Sequence, residues 1–290
     1  MFSGAMVALV TPFQDGQVDL ETLDELVQFQ VEHGIDAIVP VGTTGESPTL
    51  TYAEHKKVIE RVVKVAAGRV PVIAGTGSNS TAEAIELTEF AKKVGADATL
   101  QVCPYYNKPT QEGLFQHFKA IAEEVDLPLV LYNIPGRCGV GLTAQTVARL
   151  AELENVVGIK EATGNLDMAS EIATCCDLTI LSGDDSLTLP LAAVGAKGVI
   201  SVVANIVPAD VKAMTDLILQ GDFVQARKWH QKLFGLSKGL LTLSTNPIPI
   251  KAAMAMLDMC SEELRLPMTP LEEPKKVQLR QTLKDYGLVS

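Results

Sequence analysis

A lysine ends one of the most apolar stretches of the chain. Within Asn155–Asn165, four residues typical of a buried strand, Val156–Ile159, lead directly into Lys160. A lysine at the inner end of a buried strand is desolvated, and burial disfavours its charged form. The free amine can then attack a carbonyl carbon and form a Schiff base. A structural pair with Glu161 is the alternative, but adjacent strand residues face opposite ways, so we expect Glu161 to face outward without a catalytic role.

Schiff-base chemistry needs proton transfers when the carbinolamine forms, when it loses water and in the carbon–carbon step. Tyr132 ends the strand before Lys160 and can carry those protons, Thr43 can pass them on, and Tyr106 can complete a relay to solvent. The alternative for Tyr132 is a core aromatic residue whose hydroxyl is satisfied within the protein.

Two strand ends carry groups that suit a carboxylate. The glycine-flanked turn 42–45 contains Thr43 and Thr44, and its backbone N–H groups can hold an anion. Arg137 follows a Pro-Gly pair and can clamp a carboxylate with two parallel hydrogen bonds. The alternatives are a strand-end cap for the two threonines and a solvated loop arginine.

These residues lie at the ends of short, continuous apolar runs separated by amphipathic stretches. Continuous runs are typical of strands buried on both faces, and helical patterns such as 20–34 and 81–95 end at glycines. The runs lie at 5–13, 36–46, 70–77, 98–106, 127–135, 156–163, 178–185 and 198–205.

Eight strands that alternate with helices predict an α/β fold, a (β/α)8 TIM barrel over residues 1–222, whose active site lies at the carboxyl ends of the strands. A doubly wound open sheet is the alternative, but no GxGxxG opens the first unit. Residues 223–290 contain three helical patterns and are predicted to form a C-terminal helical domain.

The composition excludes several classes of protein. The net charge of −11 argues against nucleic-acid partners and anionic membranes. No apolar run reaches the roughly 18 residues of a membrane span, and the N-terminus does not resemble a signal peptide. The five cysteines form no CxxC pair. We therefore expect a cytoplasmic protein with free thiols. None of the four histidines ends a strand, which disfavours a histidine base and a histidine-bound metal.

The motifs together resemble the dihydrodipicolinate synthase family, also called 4-hydroxy-tetrahydrodipicolinate synthases, of the class I pyruvate-dependent aldolase superfamily. The resemblance extends over the whole chain. Each motif alone is weak evidence, but all of them together, in this order and at the family's spacing, are specific. The motifs are GTTGES (42–47), AGTGSNST (74–81), PYYNKPTQEGL (104–114), LYNIPGR (131–137), VGIKEATGN (157–165), LSGDD (181–185), GVISVVAN (198–205), NPIPIKAAM (246–254) and LRLPMTPL (264–271).

The resemblance implies a lyase of lysine (diaminopimelate) biosynthesis that condenses pyruvate with L-aspartate 4-semialdehyde and uses no metal or organic cofactor. It makes Lys160 the imine-forming residue and Tyr132 the proton donor and acceptor, in a relay with Thr43 and Tyr106. Tyr106 would come from the neighbouring subunit of a homo-oligomer, usually a dimer of dimers in this family.

The resemblance also implies the substrate contacts. Thr44 would bind the pyruvate carboxylate, Arg137 the carboxylate of the semialdehyde, and Gly183 and Ile200 would contribute main-chain contacts. Cys138 stands where the family usually has threonine, one position past the arginine, and we expect this change to be tolerated.

Some members of the family are inhibited by lysine at a dimer interface. Pro48 and Tyr52 depart from the pattern of inhibited members, which often carry a small residue and histidine there, yet the polar centre of the site is kept, so inhibition is predicted. The matching positions are Ser47, His55, Asn79, Glu83 and Tyr105.

Two other functions remain open at this point. N-acetylneuraminate lyases and 2-keto-3-deoxy-sugar acid aldolases share the lysine, the tyrosine and the GTTGE-like turn, but Arg137 favours a substrate with a second carboxylate. A non-catalytic binding barrel is the remote alternative, and the intact Lys160, Tyr132, Thr43 and Thr44 argue against it.

Overall fold

The eight apolar runs of the sequence form the eight parallel strands of one barrel, as predicted. In the computed structural model, which describes residues 2–290, each barrel strand overlaps its run and is shorter than it. Two short strands form a hairpin that the sequence pattern did not predict. The strands are β1 Gly4–Ala8, β2 Phe13–Gln14, β3 Gln17–Val18, β4 Ala37–Val39, β5 Ile73–Gly75, β6 Ala98–Val102, β7 Leu129–Asn133, β8 Val156–Glu161, β9 Thr179–Ser182 and β10 Gly198–Ser201.

The sheet closes on itself, which excludes the open doubly wound alternative. Its strand order is β4-β1-β10-β9-β8-β7-β6-β5, and a parallel bridge between Ile38 and Val72 joins the two ends. The register places Tyr132 beside Lys160 and Lys160 beside Leu181, so these three side chains share one face of the sheet.

That face is the inside of the barrel. Tyr132, Leu181 and Ile200 belong to a buried cluster that fills the barrel interior, together with residues of β1, β4, β5 and β6. Because side chains alternate along a strand, Glu161 and its register partner Asn133 point to the outer face, against the surrounding helices. The prediction that Glu161 faces away from the lysine is therefore confirmed.

The helices begin at the residues that capping predicts. Asp19, Thr51, Ser80 and Thr110 each accept a hydrogen bond from the first turn of the helix that follows them. The helices are α1 Leu20–Glu32, α2 Tyr52–Ala66, α3 Thr81–Val94, α4 Gln111–Glu124, α5 Pro135–Cys138, α6 Ala144–Leu150, α7 Leu166–Cys175, α8 Thr188–Ala193, α9 Pro208–Leu219, α10 Phe223–Thr242, α11 Ile248–Met256 and α12 Glu273–Tyr286.

The three predicted C-terminal helices are present as α10, α11 and α12. Their buried residues, including Leu236 and Leu279, join a hydrophobic core that also contains Val203 and Val211 of the barrel. The C-terminal helices are therefore packed directly on the barrel. The division into domains at residue 222 stays a prediction, and Asp222 is the N-cap of α10. Within residues 2–290, no helix is both long and apolar enough to cross a membrane.

Candidate active site

The carboxyl ends of the barrel strands surround a pocket of about 460 Å³. Six of the residues predicted for the site line it, and they lie at or just beyond the carboxyl ends of four different strands, β4, β7, β8 and β9. A segment after α10 adds Ser244, Thr245 and Asn246, which the sequence did not assign to the site. The six predicted residues are Thr43, Thr44, Tyr132, Arg137, Lys160 and Gly183.

Lys160 and Tyr132 form the floor of this pocket. Both side chains are almost completely buried, with exposed fractions of 6% and 5%, and Nζ of Lys160 lies 4.3 Å from the centroid of the Tyr132 ring. Glu161 does not pair with the lysine, because its oxygens accept hydrogen bonds from Asn133 Nδ2 (3.1 Å) and the Thr163 N–H (2.6 Å) on the outer face. Lys160 therefore presents a nearly buried amine at the base of an open pocket.

The turn after β4 presents its two threonines to the pocket through a fixed backbone. The N–H of Gly45 donates to the Gly42 carbonyl at 3.1 Å, and that of Glu46 donates to the Thr43 carbonyl at 3.1 Å. Gly45 is required here, because a Cβ atom would lie 2.9 Å from the Val41 nitrogen. The turn therefore depends on close backbone packing, which explains the glycine in this motif.

Asn246 links the two groups predicted to bind carboxylates. Its Nδ2 donates to Thr44 Oγ1 at 3.0 Å, and its main-chain oxygen accepts a hydrogen bond from Arg137 Nη2 at 3.1 Å. Since an arginine has five N–H donors, this contact orients the guanidinium and leaves other donors for a ligand. Sequence reasoning missed Asn246, although the residue opens the motif NPIPIKAAM.

Two predicted residues do not line the pocket within one chain. Ile200 is buried in the interior of the barrel. Tyr106 is 90% exposed and has a φ of +72°, in the left-handed region that few residues other than glycine adopt. Gly183 lines the pocket, but its N–H already donates to the Glu161 carbonyl at 2.8 Å, so only its carbonyl is free for a substrate.

The predicted effector residues surround a second cavity only in part. This cavity, of about 280 Å³, is lined by Ser47 and Tyr105 and shares Thr43 and Arg137 with the first pocket. Asn79 approaches it by donating from Nδ2 to the Tyr105 carbonyl at 3.0 Å. Lysine binding here stays a prediction, and the shared residues place this cavity directly beside the candidate active site.

Glu83 and His55 do not line that cavity. The carboxylate of Glu83 accepts a hydrogen bond from Ser78 Oγ at 2.8 Å. Burial raises the pKa of Tyr52 to about 12, and the Glu83 carboxylate adds to the shift. His55 is buried with Nε2 2.7 Å from the Gly75 carbonyl, and burial lowers its pKa. His55 therefore supports the backbone of β5.

Cys138, the departure from the family pattern, is buried behind Arg137. Its side chain lines the second cavity and packs in the outer core, and burial raises the pKa of its thiol to about 11. A small, uncharged thiol occupies about the space of a threonine side chain, and whether the change is tolerated stays a prediction.

A larger cavity lies at the opposite end of the barrel, and none of the predicted site residues line it. It measures about 660 Å³ and is lined near the amino ends of β8 and β9 by Glu152, Glu154, Cys175 and Asp177, among others. In a barrel of this kind the amino-terminal face serves stability, so size alone does not locate the site. Across residues 2–290, no three His, Cys, Asp or Glu side chains lie close enough together to hold a metal ion.

Comparison with known proteins agrees with this geometry. A model of the dihydrodipicolinate synthetase family matches residues 1–286. The chain is 58% identical to a 4-hydroxy-tetrahydrodipicolinate synthase of Geotalea uraniireducens over 100% of both chains. It is similar to the crystal structure of a dihydrodipicolinate synthase of Acinetobacter baumannii complexed with pyruvate, with a TM-score of 0.97 and 48% identity over 100% of both chains. A third relative, from Cyanidioschyzon merolae with lysine bound, has a TM-score of 0.96 and 42% identity over 99% of each chain.

Proposed function

The chain belongs to the dihydrodipicolinate synthetase family, and we propose that it condenses pyruvate with L-aspartate 4-semialdehyde to give 4-hydroxy-tetrahydrodipicolinate, a step of lysine biosynthesis. The observation that carries the proposal is the pocket itself. Its buried amine, Lys160, lies against Tyr132 and shares the cavity with two carboxylate-binding groups, Thr44 and Arg137. A keto acid and a carboxylate-bearing aldehyde match these three features.

The first stage is imine formation. The Lys160 amine attacks C2 of pyruvate, and the carbinolamine then loses its hydroxyl as water, so that a C=N bond replaces the C=O bond. Tyr132 donates and accepts the protons of these steps, and the position of its ring beside Nζ supports this role. Thr44 and the backbone of its turn hold the pyruvate carboxylate.

The second stage forms the carbon–carbon bond. Loss of a proton from C3 converts the imine to an enamine, whose C3 attacks the aldehyde carbon of the semialdehyde. Arg137 holds the semialdehyde carboxylate through its guanidinium. The amine of the semialdehyde then adds to the imine carbon and displaces Lys160, which closes the ring and frees the enzyme with one water released overall.

The proton relay extends beyond one chain in this proposal. Tyr106 is almost fully exposed, and in a homo-oligomer its side chain would reach the pocket of the partner subunit, next to Thr43. We propose a dimer of dimers located in the cytoplasm. Sedimentation of the protein gives the oligomeric state, and Tyr106→Phe tests the relay, since it removes the hydroxyl and leaves the ring.

Borohydride trapping tests the function most directly. The protein is incubated with pyruvate and sodium borohydride, and its mass is measured. A single adduct of reduced pyruvate is expected on Lys160 and none on a Lys160→Ala variant. Condensation with the semialdehyde is then compared with cleavage of N-acetylneuraminate by the same preparation. Absence of the adduct, or an adduct that survives in the variant, would defeat the Schiff-base mechanism.

We also propose that L-lysine inhibits the enzyme by binding at Ser47, His55, Asn79, Glu83 and Tyr105. Glu83 supplies an anion for an ammonium group, and Ser47 and Tyr105 line a cavity that adjoins the active site. The relative from Cyanidioschyzon merolae with lysine bound supports the effector class. An initial rate that saturating L-lysine leaves unchanged would contradict this proposal.

A further inference from the structure

A second buried lysine lies directly behind the turn that presents Thr43 and Thr44. Lys251, on α11, is 0% exposed, and its Nζ lies 2.6 Å from Oε1 of Glu46. Glu46 follows Gly45 in the turn and is buried as well. Both charges are thus removed from water, which makes the pair costly to build.

Other contacts hold both members of the pair in place. Nζ of Lys251 also donates to the Glu263 carbonyl at 2.7 Å and lies 4.2 Å from the centroid of the Phe13 ring. The second oxygen of Glu46 accepts the main-chain N–H of Arg265 at 3.1 Å. Neither side chain can move without leaving a buried charge unsatisfied, so the pair has one stable arrangement.

Glu46 also fixes the backbone of the turn. Its φ of +54° lies in the left-handed region, which a residue with a side chain adopts only where its surroundings require it. Its N–H donates to the Thr43 carbonyl at 3.1 Å, and its carbonyl accepts the N–H of Thr49 at 3.0 Å. An anchor on the Glu46 side chain therefore constrains Thr43, three residues earlier.

We infer that the Glu46–Lys251 pair is a positioning device that holds the turn so that Thr44 meets the pyruvate carboxylate and Thr43 keeps its place in the proton relay. The inference deepens the proposed function and rests on it for the identity of the substrate. Buried ion pairs give little net stability compared with apolar residues of similar volume, but they impose one arrangement. Asn246, just before α11, binds Thr44 from the pocket side, so the C-terminal segment holds the turn at two points.

The test removes both charges together. Glu46→Gln combined with Lys251→Met leaves no unpaired buried charge, so the fold is expected to persist. We expect the pyruvate concentration for half-maximal borohydride trapping to rise about tenfold with the maximal yield unchanged, because a misplaced turn weakens binding. Amide hydrogen exchange in residues 42–50 is expected to be faster than in the wild type, whereas exchange in β8 stays the same.

A surface pair provides the matched control. Arg61 and Asp24 join α1 and α2 at 2.5 Å, with side chains about one-third exposed. The double variant Arg61→Met with Asp24→Asn removes the same two charges away from the turn. Neither the half-saturating pyruvate concentration nor exchange in residues 42–50 is expected to change.

The outcomes distinguish a failure of the positioning role from a failure of the proposed function. Wild-type exchange in residues 42–50 of the folded double variant, or an unchanged half-saturating concentration, overturns the positioning role. Faster exchange in the double variant supports the positioning role. If the wild type at the same time gives no borohydride adduct with pyruvate, the proposed function is contradicted and the positioning role is not.

A second variant covers the case in which the double variant does not fold. Glu46→Asp keeps both charges but shortens the anchor by one methylene, and an approximately threefold rise in half-saturating pyruvate is expected, with faster exchange in the turn. Failure of both variants to fold, or no change in the Asp variant, would assign the pair a purely structural role and overturn the inference.

Discussion

Two buried lysines in this molecule have similar surroundings but different partners. Lys160 and Lys251 each place Nζ over an aromatic ring, 4.3 Å from the centroid of Tyr132 and 4.2 Å from that of Phe13. Lys251 has the carboxylate of Glu46 at 2.6 Å, whereas Lys160 opens onto the pocket.

The comparison indicates which features separate Lys160, the proposed nucleophile, from Lys251. Burial lowers the pKa of Lys251, and its carboxylate partner, Glu46, opposes that shift and favours the charged form. An amine that a carbonyl compound can reach, without such a fixed partner, is free to act as a nucleophile. Burial and an aromatic neighbour are shared by both sites, so the counter-ion and the access to the pocket decide the role.

The same substitution at the two lysines should give the largest contrast. Lys160→Met is expected to lower kcat for the condensation by at least about 10⁴-fold, since no other group replaces the nucleophile. Lys251→Met is expected to keep the pyruvate adduct at a temperature where it is folded. Steady-state kinetics and the mass of the trapped protein measure both. Activity of Lys160→Met within tenfold of the wild type would contradict the assignment.

For stability, we expect Lys251→Met to have the larger effect and Lys160→Met the smaller one. Lys251→Met leaves the Glu46 carboxylate buried without its partner, and we expect a loss of about 3 to 5 kcal/mol in the free energy of unfolding. Lys160→Met is expected to change it by less than about 1 kcal/mol, because no buried charge loses a partner. Urea unfolding at neutral pH compares the two, and equal losses would show that the lysines do not differ in this way.

In the proposed mechanism, Arg137 binds the semialdehyde and not pyruvate. Arg137→Ala is expected to lower kcat/KM for the semialdehyde about 100-fold, because the carboxylate clamp is lost. The pyruvate concentration for half-maximal trapping is expected to stay within about twofold of the wild type, since Lys160 and the turn are untouched. Parallel losses for both substrates would mean that Arg137 supports the pocket as a whole.

The smallest expected effect concerns Arg265, whose main-chain N–H contacts Glu46, the partner of Lys251. Arg265 contacts the Phe13 ring and forms an ion pair with Glu54 at 2.5 Å, and its hydrogen bonds lower the pKa of that carboxyl to about 2. Because the folded pKa lies below the ordinary glutamate value of 4.5, this stability is present above pH 4.5 and is lost as the pH falls toward 2. After solvent screening, we expect about 1 kcal/mol. Urea midpoints of the wild type and Glu54→Gln should differ at pH 7 and converge as the pH approaches 2.

Much of the site was predictable because strand ends are visible in the sequence. The apolar run before Lys160 and the run that contains Tyr132 locate two neighbouring strands, and parallel strands of a barrel bring their carboxyl ends together. Asn246 was not predictable in this way, because it follows a helix and reaches the pocket only through the packing of α10 and α11 on the barrel. Ile200 and Tyr106 were expected at the site from the family resemblance, and neither lines the pocket within one chain.

The sequence by itself determined the eight strands, the helices between them and the strand ends at which Lys160, Tyr132 and Arg137 lie, because apolar periodicity, capping residues and glycines act locally along the chain. Only the tertiary structure decided which of the two buried lysines, Lys160 or Lys251, has a counter-ion. Glu46 and Lys251 are far apart in the chain, and their contact depends on how the C-terminal helices dock behind the turn. Long-range packing is not encoded in any local pattern, and here it separates Lys251, which we propose supports the site, from Lys160, the proposed nucleophile.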